Sequence, residues 1–145
     1  MTIDSAKPSK MEYSTSKTGN AHFHEAAFLS GKWVISESTI EVFNPADGSC
    51  IGTVPCMNTE HLAQAIETAE ENLPAWKAMS PRDRANLLGA WAQAILHSID
   101  HLAEIITAEQ GKPLADARDE IRYGASFVQW FAEEANRIYG EIIPS

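Results

Sequence analysis

The stretch from Glu109 to Gly140, EQGKPLADARDEIRYGASFVQWFAEEANRIYG, constrains the fold more than any other part of the chain. Gly111 and Pro113 end one helix and begin the next, because glycine tolerates the left-handed backbone of a helix end and proline's fixed φ suits a helix start. Asp116, Asp119 and Glu120 put negative charge at the N-terminal end of the helix dipole, and Arg137 puts positive charge near the other end. These marks predict one helix of roughly 25 residues, closed by Gly140. At about 100° per residue, Ile121, Ala125, Val128, Ala132 and Ala135 form an aliphatic stripe. Tyr123, Phe127 and Trp130 fall nearly opposite, and Arg122, Ser126, Gln129 and Glu133 share the narrow polar strip that remains. A helix on the surface of a small bundle needs one apolar stripe, so two stripes place this helix between two layers. Any single aromatic here is ordinarily core filler. Together they imply that one stripe meets the rest of this chain while the other faces something the chain does not contain.

A length of 145 residues allows one domain with a moderate core. With 44% hydrophobic and 21% charged residues, the composition is that of a soluble globular protein. A net charge of −9 and a pI near 4.9 argue against a nucleic-acid partner or an anionic membrane. No apolar run approaches the roughly 20 residues of a transmembrane helix. The N-terminus lacks the apolar core of a secretory signal, and its three lysines without arginine make a poor transit peptide. Cys50 and Cys56 build neither a disulfide framework nor a zinc spacing. A reducing, cytoplasmic compartment is the expectation.

Taken in order, residues 1–26 are rich in Ser, Thr and Lys and are read as a flexible tail, with His22 and His24 solvated. Residues 27–145 form the structured part. FLSGKWVI carries a hairpin turn at Ser30-Gly31. In IEVFNPADGSCIGTVP, Pro45-Ala46-Asp47-Gly48 turns the chain between two strands. The start is therefore a small antiparallel meander, with Ile40, Val42 and Asn44 on one face and Glu41 and Phe43 on the other. Three to four long helices follow. Thr59 caps the first, whose stripe of Leu62, Ile66, Ala69, Leu73 and Trp76 contains Pro74, so a kink or break is expected there. Ser80-Pro81-Arg82-Asp83 opens the second with Ser at the N-cap and an acid at N3. Its stripe runs from Leu88 to Ile106, as one helix or as two with a hitch near Ser98. The fold class is α+β.

The residues taken alone name no reaction. His97 and His101, four apart beside Asp100 and Glu104, have a zinc spacing but no third ligand, so a solvated helix face is the better reading. Gly111-Lys112-Pro113 lacks the glycines of a phosphate loop, and neither cysteine has a base to activate it.

The order of segments nonetheless resembles a known family. FLSGKWV, EVFNPADGSCIGTVP, LPAWKAMSPRDRANLL and TAEQGKPLADARDEIRYGASFVQWFAEEANRIYGEIIP look like the opening of an aldehyde dehydrogenase. The NPADG turn, the PAW extension and EQGKPL recur in this order in that superfamily, and YGASFVQWFAEEANRIYG is most similar to its succinate-semialdehyde dehydrogenase branch. The resemblance implies oxidation of a small aldehyde to a carboxylate with NAD or NADP, through a Cys thiolate, a Glu that activates water, and an oxyanion site. It also implies that those groups, and the dinucleotide-binding strands, follow Ser145. The chain is then the truncated N-terminal part of a cofactor-binding domain, inactive by itself, with no catalytic or cofactor-binding residue and no cofactor bound. From the family pattern, Tyr123 and Phe127 match positions that line the substrate tunnel, and Val42 and Glu109 match a monovalent-cation site seen in some relatives. As a piece it should expose an apolar face and self-associate. The alternatives are a self-contained helical binding module that uses the aromatic face, and a subunit that docks into intact relatives.

Overall fold

A computed structural model describes residues 22–140 of the chain. It has four strands, β1 (Ala27–Leu29), β2 (Lys32–Val34), β3 (Thr39–Phe43) and β4 (Cys50–Pro55). Four helices follow: α1 (Thr59–Ala78), α2 (Pro81–His97), α3 (Ile99–Gln110) and α4 (Leu114–Glu134).

The strands pair as two antiparallel hairpins, β1–β2 and β3–β4, rather than as one continuous meander. Ser30 and Gly31 have φ of 52° and 78°, the doubly left-handed turn whose twist matches that of the flanking strands. In the second hairpin, Gly48 (φ 73°) closes a turn in which Asn44 donates its N–H to the Ser49 carbonyl at 2.8 Å. Asn44 Oδ1 accepts from the Ala46 N–H at 2.9 Å, so side chain and backbone hold the same turn. A bulge between Val42 and Phe43 shifts the register there.

The expected tail needs correction where it is described. Residues 1–21 lie outside the described residues, but residues 22–26 pack onto β4. Phe23 is buried, and its ring lies where a Cβ on Gly52 would stand, 2.6 Å from Cε1. Glu25 Oε1 accepts from the Thr53 N–H at 2.7 Å and from its hydroxyl at 3.2 Å. His24 is not a fully solvated side chain either, whereas His22 is exposed as expected. The His24 ring stacks on Trp33 at 4.1 Å, and the His22 ring lies 5.2 Å from that of His101. The signal was hidden because a polar, Ser/Thr-rich context carries no periodicity from which docking could be read.

Helix α1 is capped by Asn58 rather than by Thr59, which is its first residue. Asn58 Oδ1 accepts from the His61 N–H at 3.0 Å, and His61 Nδ1 in turn accepts from the Asn58 N–H, a reciprocal cap. The helix also runs unbroken through Pro74. Proline there removes the hydrogen bond to the Glu70 carbonyl, but Glu70 is exposed, where solvent can supply the missing donor. Ser80 caps α2 as expected, accepting from the Asp83 N–H at 3.1 Å and donating to its carboxylate at 2.6 Å. The hitch falls at Ser98, whose φ of −94° and ψ of 12° separate α2 from α3. Gly111, at φ 69°, ends α3 in the left-handed conformation.

The core is made by α2, α3 and α4, with α4 packed against both of the others. Its buried side chains are mostly alanines: Ala92, Ala103, Ala117, Ala125 and Ala132, with Ile121. Small side chains at the contacts let helix axes approach closely. Ile95, Ile99, Leu102, Ile106 and Leu114 close around Ala103, Ala117 and Ile121. Arg118 Nε donates to Asp100 Oδ1 at 2.7 Å and ties α4 to α3.

The end of α4 also needs correction. The helix stops at Glu134, not Gly140, because the last turn tightens: the Asn136 N–H donates to the Glu133 carbonyl and the Arg137 N–H to that of Glu134. Arg137 pairs with Glu134 beyond the helix end.

Candidate functional site

The aliphatic stripe of α4 is the buried one. Ala117, Ile121, Ala125 and Ala132 are buried and Val128 and Ala135 half-buried, because that side meets α2 and α3. The aromatic stripe faces outward. Tyr123 is 67% exposed, Phe127 48% and Trp130 59%. The reading of α4 as a two-sided helix therefore agrees with the structure, in which the described residues leave one side uncovered.

Tyr123 and Phe127 sit one turn apart and pack edge to face, with ring centroids 4.8 Å apart and planes at 82°. That geometry sets the electropositive edge of one ring on the electronegative face of the other. The pair thus presents one continuous aromatic surface. The neighbouring polar strip is turned to solvent. Ser126 Oγ donates to the Tyr123 carbonyl at 2.7 Å, and Arg122 pairs with Asp119 at 2.6 Å.

Two further residues extend this face. Phe131, exposed and one turn on from Phe127, enlarges the aromatic stripe. Gly124 joins that stripe to an open apolar groove of about 390 Å³ between α3 and α4, walled by Ile95, Leu102, Ile106 and Ile121. Phe131 was legible from its spacing to Phe127. For Gly124 the signal was a glycine in mid-helix, a position where alanine is preferred.

Val42 lies on β3 and Glu109 on α3, and these two elements touch. Val42 is half-buried in its strand and Glu109 is exposed in the last turn of α3. Pro45 covers the turn that follows, its Cγ 3.0 Å from where a Gly111 Cβ would stand. Among the described residues no group of three or more His, Cys, Asp or Glu side chains could hold a metal ion. His101 Nδ1 lies 3.9 Å from Glu104. Cys50 and Cys56 are both free, and the Cys50 thiol donates to the Gly52 carbonyl at 3.5 Å.

The residues present do not fit a dinucleotide. Each of the four helices carries an acid in its first turn (Glu60, Asp83, Asp100 and Asp116) that opposes a phosphate there. The left-handed glycines Gly31, Gly48 and Gly111 each close a turn or a helix end rather than cradle an anion. No helix among the described residues is long and apolar enough to cross a membrane.

Comparison with known proteins gives a consistent answer. Residues 33–145 match the aldehyde dehydrogenase family. Glutarate-semialdehyde dehydrogenase of Pseudomonas putida is 48% identical over 84% of this chain and 26% of its own length. The NADP(+) succinate-semialdehyde dehydrogenase GabD of Escherichia coli is 44% identical over 84% of this chain and 26% of its own. A crystal structure of an E. coli NADP-dependent enzyme superposes with a TM-score of 0.82 at 44% identity, covering 85% of this chain and 26% of that one. The chain thus spans about a quarter of the length of the relatives it matches.

Proposed function

Since the chain belongs to the aldehyde dehydrogenase family, we propose that it supplies one wall of the substrate channel in an NAD(P)-dependent oxidation of a short dicarboxylic semialdehyde, with succinate semialdehyde as the leading candidate. The observation that carries this is the Tyr123–Phe127 edge-to-face pair, exposed on the side of α4 turned away from the core. An aldehyde must lose its water shell before a nucleophile can reach it, and a fixed apolar wall promotes that step. The dinucleotide accepts hydride when bound. This chain's residues exclude water from the aldehyde's methylene chain and orient it.

By itself the chain performs no turnover. Neither Cys50 nor Cys56 is placed as a nucleophile, and the residues described hold no dinucleotide cradle. Val42 and Glu109 belong to the same reading as ligands of a monovalent cation at the junction of β3 and α3. Two free cysteines suit a cytoplasmic setting. No observation favours an independent binding module, and the relatives named above are all dehydrogenases.

The test is a chimera in which residues 33–140 replace the matching stretch of the E. coli relative. Expected is NADP-dependent oxidation of succinate semialdehyde, with Tyr123→Ala and Phe127→Ala each raising KM about tenfold while changing kcat less. An unchanged KM in both variants removes the channel-wall role. Aldehyde-dependent NAD(P)H formation by the purified 145-residue chain removes the claim that it is inactive by itself.

A further inference from the structure

The turn between β3 and β4 holds the one Asp-Gly pair of the chain, Asp47-Gly48, and the sequence has no Asn-Gly. The pair is a by-product of the turn, because Gly48 adopts φ 73°, a conformation that favours glycine. An aspartate before a glycine has an intramolecular reaction open to it. The Gly48 backbone nitrogen attacks Asp47 Cγ and a C–N bond forms. One carboxyl oxygen leaves as water, taking the carboxyl proton and the amide proton with it, and a five-membered succinimide remains. Water then adds to either ring carbonyl and opens the ring, which restores aspartate or leaves isoaspartate, whose main chain runs through Cβ and Cγ. The sequence of steps needs no oxidant and no cofactor. Asp47 and Gly48 are both exposed to the water that the second step consumes, and Gly48 has no side chain to screen its nitrogen.

Three hydrogen bonds oppose that reaction. The Gly48 N–H donates to the Asn44 carbonyl at 2.8 Å, so the proton of the attacking nitrogen is already held. Asp47 Oδ1 accepts from the Ser49 hydroxyl at 2.7 Å and from the Ser49 N–H at 2.9 Å, which ties the carboxylate to residue 49. Those two bonds, the hydroxyl's first, hold the Asp47 carboxyl below its ordinary 3.8 and so favour the anion, a poorer electrophile with no proton for its leaving oxygen. We propose that Asp47-Gly48 is this chain's site of spontaneous isoaspartate formation, and that Asn44 and Ser49 form a latch that holds the reaction off while the hairpin is folded. Isomerisation inserts an atom into the main chain of a turn that Asn44 closes twice, with its N–H on the Ser49 carbonyl and its Oδ1 on the Ala46 N–H. Pro45 in the same turn lies 3.0 Å from where a Gly111 Cβ would stand, so a distorted turn disturbs the junction of α3 and α4 as well.

The full 145-residue chain and a synthetic peptide of residues 42–52 are aged side by side in neutral buffer made with heavy-oxygen water. Tandem mass spectrometry then quantifies isoaspartate at position 47, where each passage through the succinimide leaves one heavy oxygen. Because the latch must open before attack, the folded chain should isomerise about tenfold more slowly than the peptide. Ser49→Ala removes the hydroxyl and leaves the backbone N–H of residue 49, so it should speed the folded chain about threefold. Ser49→Thr keeps a hydroxyl and should return the parent rate. The parent chain unfolded in guanidinium chloride should age as fast as the peptide in the same denaturant, a comparison that needs no variant to fold. The latch is overturned if folded and unfolded parent age alike, or if Ser49→Ala, folded by circular dichroism, ages at the parent rate. The site itself is overturned if the peptide gains neither isoaspartate nor heavy oxygen at Asp47.

Discussion

Gly52→Ala tests the docking of the segment before β1, a feature with no sequence signal. The added methyl would stand 2.6 Å from Phe23 Cε1, 2.8 Å from Cζ and 3.0 Å from Glu25 Oε1. Real Cβ contacts are not that short, so the ring and the carboxylate must move together. Phe23 keeps 9% of its surface exposed, and full burial of a phenylalanine stabilises by roughly 1.5–3 kcal/mol, an upper figure because unfolded chains are already partly collapsed. Loss of the Glu25 bonds to Thr53 adds about 1 kcal/mol at a half-exposed site. The phenyl ring can swing aside without moving backbone, which limits the total to about 1.5–3 kcal/mol, or roughly 6–12 °C in Tm for a chain of this size. Circular dichroism melts give that shift, and limited proteolysis within residues 22–26 shows whether the segment has been released. The decisive variant is the double mutant. If the methyl acts by displacing Phe23, Phe23→Ala already contains the ring's share, and adding Gly52→Ala costs no more than the about 1 kcal/mol of the Glu25 bonds. Additive losses, or a neutral Gly52→Ala, refute the argument.

Arg84 Nη1 donates to the Met79 carbonyl at 2.8 Å and to those of Trp76 and Lys77 at 3.4 Å, closing the C-terminal end of α1. Arg84→Ala should cost about 1 kcal/mol and speed amide exchange in the last turn of α1 while leaving the α4 core amides protected. Asp47, held below its ordinary 3.8 first by the Ser49 hydroxyl and then by the Ser49 N–H, should titrate below that value by NMR, and Ser49→Ala should raise its midpoint. Because the folded value is the lower one, the turn's stabilisation by this carboxylate is present above the unfolded value and is lost as pH falls through the folded one. On the two sides of α4, Ala125→Asp should cost at least about 3 kcal/mol by burying a carboxylate. Phe127→Asp should change stability by less than about 1 kcal/mol and cut the binding of a hydrophobic dye; equal losses would show that both faces are packed.

Local chemistry was the part of the fold most open to reading. Ser30-Gly31, the Asn44–Gly48 turn, the Ser80 cap and the Gly111 stop each depend on side chains within four residues, and each appears where its residue types place it. The misreadings share a different cause. Asn58 and Thr59 are adjacent cap candidates, and only the return bond from His61 decides between them. Pro74 breaks a helix in isolation, but an exposed carbonyl can take water instead. The docking of residues 22–26 is a contact across 28 residues, invisible to any local pattern. Of the candidate site, the two stripes of α4 were legible because a 3.6-residue period is a property of the helix itself. The groove was not, because it forms only once α3 lies against α4.

The distribution of side-chain size on α4 explains why the helix needs two neighbours. Where it meets α2 and α3 it offers alanines, which permit a close approach but bury little area each. Its large side chains, Tyr123, Phe127, Trp130 and Phe131, are on the other side, where burial would yield most. A helix selected to stabilise this bundle alone would have the reverse arrangement. Helix α1 repeats the pattern: its stripe of Leu62, Ile66, Leu73 and Trp76 is intact, yet none of its residues is buried. Its described hydrogen bonds to the rest of the fold are the Ser30–Thr68 hydroxyl pair at 2.7 Å and the Arg84 clasp at its end. Two amphipathic helices with their larger apolar faces turned outward do not arise from chance surface composition, since isolated exposed hydrophobics need no explanation but ordered stripes do. Both helices therefore leave ordered apolar stripes that the described residues do not cover.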